Sequence, residues 1–210
     1  MLKILIADDH PIVRQGLKQI LSEEPDLEVS GEAQNSQEVL ELVRKQDWDI
    51  VILDITMPSR GGIDVLKELK HQYPKLPILV LSMHPENQYA IRALKAGAAG
   101  YLTKESCSEE LVKAIQKILK GGKYISSSLA EKLAFTLEVD RLKPLHEQLS
   151  DREYQVMCMI ASGKTVTEIA QKLSLSVKTI STYRSRILEK MRMENNAELI
   201  HYAIKNGLVD

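Results

Sequence analysis

The sequence predicts an α/β domain built on a doubly wound, five-stranded parallel (βα)5 sheet, joined by a helical linker to a small all-α domain of four helices. Short apolar runs alternate with segments of helical periodicity through the first two-thirds of the chain, and no strand pattern follows Gly122. The length of 210 residues also fits two domains, because single cores commonly hold about 100 to 200 residues. We expect the first domain over residues 1–122, a partly helical linker over 123–146 and the second domain over 147–210.

Five apolar runs are the predicted strands of the first domain. They span residues 2–7, 27–29, 50–53, 78–81 and 101–102. Between them, apolar residues recur three and four positions apart, as Val13, Leu17 and Leu21 do, which is typical of helices packed on a sheet. Alternating strands and helices imply right-handed crossovers, and runs without polar alternation indicate parallel strands covered on both faces.

The second domain is predicted from helix-capping residues. Three helix starts pair a Ser, Thr or Asn with a Glu three residues later: Ser150 with Glu153, Thr165 with Glu168, and Asn195 with Glu198. A fourth start at Ser176 lacks the acid, and Gly163 and Gly207 are placed to end helices. In the linker, the serines from Ser126 onward predict a helix over about residues 128–139.

The composition argues against several classes of protein. The two cysteines, Cys107 and Cys158, lie far apart without a CxxC or Cys/His cluster, so neither a disulfide scaffold nor a zinc site is expected. No apolar run approaches the roughly 20 residues of a membrane span, and acidic residues come too early for a signal peptide. We expect a cytoplasmic protein without membrane contact.

Polar residues suited to phosphoryl chemistry stand at the ends of four predicted strands. Asp8 and Asp9 follow the first strand, Asp54 follows the third, Ser82 ends the fourth and Lys104 ends the fifth. The carboxyl ends of parallel strands line one crevice, so these side chains are expected to converge. Crowded carboxylates favour a hard divalent cation such as Mg²⁺. Each residue alone has an ordinary explanation as a helix cap or a solvated lysine, and the combination predicts phosphoryl transfer to a carboxylate.

Residues 2–122 resemble the receiver domain of two-component response regulators. The matching motifs are Asp8-Asp9, Asp54, Met57-Pro58, Gly61-Gly62, Ser82 and the segment from Ala96 to Lys104. The resemblance implies that Asp54 accepts a phosphoryl group from a phosphohistidine on a sensor histidine kinase. It implies a set of Mg²⁺ ligands: Asp8, Asp9, Asp54 and the backbone carbonyl of Thr56. Lys104 would pair with the phosphoryl group, Ser82 would hydrogen-bond to it, and Tyr101 would be an aromatic switch.

An Asp-nucleophile phosphatase, similar to the haloacid dehalogenases, is the enzymatic alternative, because its nucleophile also follows an apolar strand. That chemistry needs a second acid two residues after the nucleophile to protonate the leaving group. This position holds Thr56. We therefore expect a regulator rather than an enzyme.

A helix, a short turn and a second helix are predicted over residues 165–173 and 177–191. The second helix has an excess of basic residues over the single acid Glu189: Lys178, Arg184, Arg186, Lys190 and, just beyond it, Arg192. In a helix-turn-helix the second helix enters the major groove of DNA. From spacing alone, a helical hairpin with a solvated basic face remains an equal alternative.

Residues 147–208 resemble the LuxR/FixJ/NarL class of DNA-binding domain, through Leu149 to Glu153, Ile160 to Gly163, Glu168 to Ala170, Leu173, and Ser176 to Ile180. The run Tyr183-Arg184-Ser185-Arg186 favours the GacA/UvrY-like branch. The resemblance implies groove-facing positions at Lys178, Thr179, Ser181, Thr182 and Ser185. It implies positions nearer phosphates at Arg184, Arg186 and Lys190. It implies dimer contacts at Leu199, Ile200, Ala203 and Ile204, for which core packing is the alternative.

These motifs together predict a DNA-binding transcriptional response regulator whose phosphorylation switches dimerisation and promoter binding. The expected partners are a sensor histidine kinase and double-stranded promoter DNA bound by a homodimer, with RNA polymerase as a further candidate. An atypical regulator that signals to a protein partner is the remaining alternative, and the basic recognition helix disfavours it.

Overall fold

The computed structural model describes residues 1–57, 61–84, 86–126, 129–131 and 144–209. The chain forms two compact units, Met1–Ala130 and Glu131–Asp210. Of the linker helix predicted over residues 128–139, only 129–131 are described, and these three residues are helical. The rest of that prediction lies outside the described residues, as does Pro58.

The first unit alternates strands with helices. The strands are β1 (Leu2–Ala7), β2 (Leu27–Ala33), β3 (Ile50–Asp54), β4 (Ile78–Ser82) and β5 (Gly100–Thr103). The helices are α1 (Pro11–Ser22), α2 (Ser36–Lys45), α3 (Gly62–Gln72), α4 (Glu86–Lys95) and α5 (Cys107–Leu119). All strand pairs are parallel, in the order β2-β1-β3-β4-β5, which confirms the predicted five-stranded parallel sheet. The strand order reverses between β1 and β3, and ligands of open α/β sheets bind beyond the carboxyl ends at such a point.

Both faces of the sheet are covered. On one face, strand residues such as Ile4 and Ile52 share a buried cluster with Leu17 of α1 and Ile115 of α5. The alternate strand positions point to the other face of the sheet, and there Leu5, Val51, Leu53 and Val80 are also completely buried. This burial on both sides explains why β1, β3 and β4 have no polar alternation.

Strand β2 extends to Ala33, beyond the predicted end at Val29. It is an edge strand, and its register against β1 shifts between the pairs Ile4↔Val29 and Leu5↔Gly31. A Cβ atom on Gly31 would lie 2.5 Å from the Trp48 ring, so glycine is needed where this ring crosses the strand. The polar second half of β2 is therefore held by backbone pairing rather than by a continuous apolar face.

The second unit is helical throughout its regular elements. A 3₁₀ turn (Leu145–Gln148) precedes α6 (Asp151–Ala161), α7 (Val166–Lys172), α8 (Val177–Met191) and α9 (Asn196–Lys205). The four predicted starts are confirmed: the Ser150 and Thr165 side chains form capping boxes, and the Ser176 and Asn195 side chains accept from Thr179 N and Glu198 N. Gly163 and Gly207 follow helix ends with φ of 80° and 60°, as predicted.

The helices of the second unit pack around α6. Tyr154, Met157, Ile169, Ile180 and Ile187 are almost completely buried, which gives α7 and α8 the apolar faces expected from the sequence. No helix in the described part of the chain is both long enough and apolar enough to span a bilayer.

Candidate functional site

The predicted acidic site is assembled at the carboxyl edge of the sheet. Asp8 and Asp9 follow β1, and Asp54 is the last residue of the neighbouring strand β3. Asp54 pairs with Leu81 of β4, so Ser82 lies one residue further along the same edge. Lys104 follows β5, whose last residue, Thr103, pairs with Ser82. The parallel register therefore brings together residues as distant in sequence as Asp8 and Lys104, which are 96 positions apart.

A buried lysine joins two of the carboxylates. Lys104 Nζ lies 2.7 Å from Asp54 Oδ2 and 2.6 Å from Asp8 Oδ2, and its side chain is 6% exposed. Burial lowers the pKa of Lys104, but the Asp54 and Asp8 carboxylates outweigh burial and hold this pKa above its ordinary value. The lysine therefore stays protonated and supplies a fixed positive charge beside Asp54.

The other oxygen of Asp54 is oriented by its own loop. Thr56 donates to Asp54 Oδ1 twice, from the backbone nitrogen at 2.7 Å and from Oγ1 at 2.6 Å. Gly62, at the start of α3, approaches this segment closely, since a Cβ on Gly62 would lie 2.3 Å from Ile55 Cα. These contacts fix the plane of the completely buried Asp54 carboxylate.

The remaining acids leave oxygens available to a cation. Asp8 Oδ2 and Asp9 Oδ1 are buried without a hydrogen bond of good geometry among the described residues. Their close contacts are ion pairs, with Lys104 Nζ for Asp8 Oδ2 and with His10 Nδ1 for Asp9 Oδ1, at 2.6 and 2.9 Å. Lys104 pairs with only two of the three carboxylates, and the cluster keeps an excess of negative charge that fits a hard divalent ion.

His10 is a member of this cluster that the sequence interpretation missed. One atom each from Asp8, Asp9, His10 and Asp54 lie within 4.8 Å of one another. The His10 backbone nitrogen also donates to Asp8 Oδ1 at 2.8 Å. The only sequence signal was its position directly after the two aspartates.

Ser82 and Tyr101 are linked through the loop that follows β4. Ser82 Oγ accepts from the His84 backbone nitrogen at 3.0 Å, and the Tyr101 hydroxyl donates to the His84 carbonyl oxygen at 2.9 Å. Burial raises the pKa of the Tyr101 hydroxyl far above its ordinary value, so this group remains a neutral donor. The completely buried tyrosine and Ser82 therefore both hydrogen-bond to the His84 backbone.

Helix α8 presents a polar face that suits DNA. Lys178, Ser181, Thr182, Ser185 and Arg186 are exposed along it. The Thr182 and Ser185 hydroxyls donate to backbone carbonyls one turn earlier, at 3.0 and 3.2 Å, and their oxygens can still accept. Thr179 is only partly exposed, and its hydroxyl lies 2.8 Å from the capping Ser176 hydroxyl.

Two cations predicted near phosphates have partners within the protein. Arg184 Nε donates to Asn196 Oδ1 at 2.7 Å, at the start of α9. Lys190 Nζ lies 2.6 Å from Oε2 of the buried Glu153. In contrast, Lys178 and Arg186 have no ion pair within the part of the chain that the structure describes. Some basic residues of α8 therefore bind other helices of this domain, and others remain exposed for a partner such as DNA.

The four predicted dimer positions of α9 divide into two groups. Leu199 and Ala203 are completely buried in the core of this unit and have no surface for a partner, so for these two the alternative of core packing is correct. Ile200 is partly buried and Ile204 is 56% exposed. Of the four predicted positions, only Ile200 and Ile204 have side-chain surface available for a dimer contact.

Comparison with known families and proteins agrees with both domains. Residues 4–116 match the response regulator receiver domain, and residues 147–203 match the bacterial regulatory proteins of the luxR family. The response regulator UvrY of Escherichia coli (strain K12) is 35% identical over 209 residues, covering 99% of this chain and 96% of that protein. The response regulator GacA of Pseudomonas aeruginosa is 37% identical over 211 residues, covering 100% of this chain and 99% of that protein.

Solved structures of DNA-bound regulators are also similar. RcsB from Salmonella enterica serovar Typhimurium, bound to promoter rprA with the phosphomimetic BeF₃⁻, has a TM-score of 0.66 at 32% identity, covering 96% of this chain and 98% of that one. An RcsB–DNA complex has a TM-score of 0.60 at 33% identity, covering 97% and 98%. The resemblances stated from the sequence are confirmed, and the chain belongs to the two-component response regulators, as a DNA-binding transcriptional regulator with a receiver domain and a LuxR-type domain.

Proposed function

We propose that Asp54 accepts a phosphoryl group from a phosphohistidine of a sensor histidine kinase, and that this modification controls promoter binding by α8. The observation that carries the proposal is the buried Asp54 carboxylate held 2.7 Å from the Lys104 ammonium. A nucleophile beside a fixed cation suits phosphoryl transfer, because charge on the phosphoryl oxygens finds a partner already in place.

In the transfer step an Asp54 oxygen bonds to phosphorus while the phosphorus–nitrogen bond of the phosphohistidine breaks. The electron pair of that bond stays on the imidazole nitrogen, which takes up a proton from solvent. Lys104 leaves Asp54 Oδ2 and pairs with a phosphoryl oxygen, and Thr56 keeps the carboxylate oriented through its two hydrogen bonds. Ser82 donates its hydroxyl to the phosphoryl group.

The cation proposed for this site is Mg²⁺, with the carboxylates of Asp8, Asp9 and Asp54 and the backbone carbonyl of Thr56 as protein ligands. Asp8 Oδ2 and Asp9 Oδ1 support the fit, because these buried oxygens have ion pairs but no hydrogen bond of good geometry among the described residues. When bound, the ion would neutralise negative charge on the phosphoryl oxygens.

We assign the receiver to residues 1–122, the linker to 123–146 and the DNA-binding domain to 147–210. The matched family ranges, 4–116 and 147–203, support these limits. The first compact unit extends to Ala130, which indicates that the first linker residues pack with the receiver.

The DNA interface is proposed to use a groove-facing set on α8: Lys178, Thr179, Ser181, Thr182 and Ser185. Arg186 is the proposed phosphate contact, and Arg184 and Lys190 act first through Asn196 and Glu153. A homodimer joined through Ile200 and Ile204 would place two recognition helices on half-sites about one helical turn apart. Its cytoplasmic partners would be promoter DNA, the kinase and RNA polymerase.

The test is phosphorylation of the full chain by a small-molecule phosphodonor with Mg²⁺, followed by intact-mass spectrometry. The wild-type protein should gain one phosphoryl group, and Asp54→Asn should gain none. Asp49→Asn is the matched control, since Asp49 lies at the opposite end of β3 and should not affect labelling. Asp9→Ala should stay folded and lose Mg²⁺-dependent labelling. Full labelling of Asp54→Asn would contradict the assignment, and continuous phosphate release would favour the phosphatase alternative.

A further inference from the structure

The residues that follow α5 return to the edge of the sheet. Tyr124 forms a parallel bridge with Gly100 of the edge strand β5. The Tyr124 nitrogen donates to the Ala99 oxygen at 2.9 Å, and the Tyr101 nitrogen donates to the Tyr124 oxygen at 3.3 Å. A Cβ on Gly100 would lie 2.8 Å from the Tyr124 oxygen, so this pairing requires glycine. The start of the linker is thus an added edge segment beside the predicted switch residue.

Side chains fasten the same segment to the helices on either side of β5. Lys117 Nζ of α5 lies 5.8 Å from the centre of the Tyr124 ring. Burial and the Glu110 carboxylate, also on α5, raise the pKa of the Tyr124 hydroxyl. Ser126 donates its hydroxyl to Glu86 at the start of α4. We call these contacts of Tyr124 and Ser126 the linker clasp.

Ser126 also forms hydrogen bonds with the helical residues 129 and 130. Its Oγ accepts from the Leu129 nitrogen at 3.1 Å, and its carbonyl oxygen accepts from the Ala130 nitrogen at 3.0 Å. A serine whose hydroxyl caps a helix while donating to a carboxylate is held in one orientation. The contact with Glu86 therefore helps to hold this cap in place.

The linker clasp contacts the switch at two points. Tyr101 is held through its backbone nitrogen by Tyr124 and through its hydroxyl by His84. His84 is in turn bonded to Ser82 Oγ, and Glu86 lies two residues after His84. Hydrogen bonds therefore connect Ser82 through His84 and Tyr101 to the backbone of Tyr124, and Ser82 is also close in sequence to Glu86.

We propose that the linker clasp is the exit of the signal from the receiver, closed in the unphosphorylated protein and opened by phosphorylation. The inference rests on the function proposed for Asp54. When Ser82 turns toward the phosphoryl group, the His84 nitrogen loses its acceptor, and movement of Tyr101 removes the donor to the His84 carbonyl. The start of α4, which carries Glu86, then shifts, the hydrogen bond from Ser126 to Glu86 breaks, and the helical residues at Leu129 are released. Glu86 and Ser126 act as positioning residues in this scheme.

The test is hydrogen exchange of the full chain with and without Mg²⁺ and BeF₃⁻, which mimics a phosphoryl group on the aspartate. In the wild-type protein the analogue should speed exchange of the Tyr124 and Leu129 amides at least about tenfold. This is the scale expected when the hydrogen bond from Ser126 to the charged Glu86 is lost. Protection of Ile50 in β3 should not change, which shows that the receiver remains folded.

Ser126→Val and Ser126→Thr form a matched pair, because they have similar shapes and only Thr retains the hydroxyl. Ser126→Val should show fast exchange at Tyr124 without the analogue. Because coupling between two sites is reciprocal, it should also bind BeF₃⁻ about tenfold more tightly than wild type. Ser126→Thr should behave as wild type in both measurements.

Two results would overturn the signalling role proposed for the linker clasp. The analogue could change exchange at Ser82 and His84 while leaving Tyr124 and Leu129 unaffected, or Ser126→Val could bind BeF₃⁻ with wild-type affinity. If the analogue causes no change in exchange around Asp54, the proposal that Asp54 is the phosphoacceptor fails, and the role proposed for the linker clasp fails with it. The site of the change therefore tells the two failures apart.

Discussion

Replacing Lys190 with alanine should destabilise the DNA-binding domain rather than only weaken its contact with DNA. Lys190 Nζ lies 2.6 Å from Glu153 Oε2, and the Glu153 side chain is 4% exposed. A hydrogen bond to a charged group contributes about 1.5 to 3 kcal/mol to stability. The Lys190 side chain is 41% exposed, so solvent screening reduces the expected loss to about 1 to 2 kcal/mol. For a domain of this size that corresponds to a fall in Tm of about 4 to 16 °C.

The loss should depend on pH. Burial raises the pKa of Glu153, but Lys190 and Ser150 outweigh burial and bring this pKa below its ordinary value of 4.5. A carboxyl whose pKa is lowered by folding stabilises the protein above the unfolded value, and this stability is lost as the pH falls through the folded value. The difference in unfolding free energy between wild type and Lys190→Ala should be complete near pH 7 and shrink below about pH 4.

Urea unfolding of the fragment 131–210, followed by its helical circular dichroism, measures this difference. Arg186→Ala is the control, because Arg186 is exposed on the same helix, and it should change stability by less than about 0.5 kcal/mol. Adding Glu153→Gln to Lys190→Ala should recover part of the loss, since a neutral amide does not need the cation. Equal unfolding midpoints for wild type and Lys190→Ala at pH 7 would refute the reasoning.

Two further outcomes are expected in the same domain. Lys178→Ala and Thr182→Ala should each reduce the preference for the specific DNA site over other sequences by about 1 to 3 kcal/mol. Arg186→Ala should instead weaken binding to all DNA sequences and reduce the slope of log affinity against log salt concentration by about one. Fluorescence anisotropy titrations measure both effects. Retained sequence preference in the first two variants would favour the protein-partner alternative. Ser174→Gly should stabilise the domain by about 1 kcal/mol, because Ser174 has φ of 52°, and Ser181→Gly inside α8 should instead destabilise it by a similar amount in urea unfolding. Destabilisation by Ser174→Gly would show that its left-handed backbone carries no strain.

The sheet could be predicted wherever burial on both faces left a simple pattern. Strands β1, β3 and β4 are apolar throughout because both faces are covered, and their ends were predicted to within one residue. The second half of β2 was missed, because an edge strand needs neither face to be continuously apolar. The pairing of Tyr124 with β5 was missed for a related reason. Backbone hydrogen bonds at an edge leave little trace in side-chain chemistry.

The acidic site could be predicted because topology alone determines which strand ends are neighbours. Parallel strands in this order bring Asp8, Asp54 and Lys104 together at the carboxyl ends of the strands, whatever the sequences of the loops. The partners within the site could not be predicted in the same way. His10 joins the aspartates through the local path of its loop, and the hydroxyl of Tyr101 reaches His84 only because of how the segment after Ser82 turns.

The basic helix shows where sequence interpretation reaches its limit. Composition records that α8 is rich in cations, but it does not show that Arg184 and Lys190 have partners on other helices. Glu153 is 37 residues from Lys190, and Asn196 is 12 residues from Arg184. A cation already bonded to a buried carboxylate must give up that partner before it can serve a phosphate, whereas an exposed cation such as Arg186 loses only water. Affinity for DNA should therefore depend more on Arg186 than on Lys190, although the sequence presents them as equivalent.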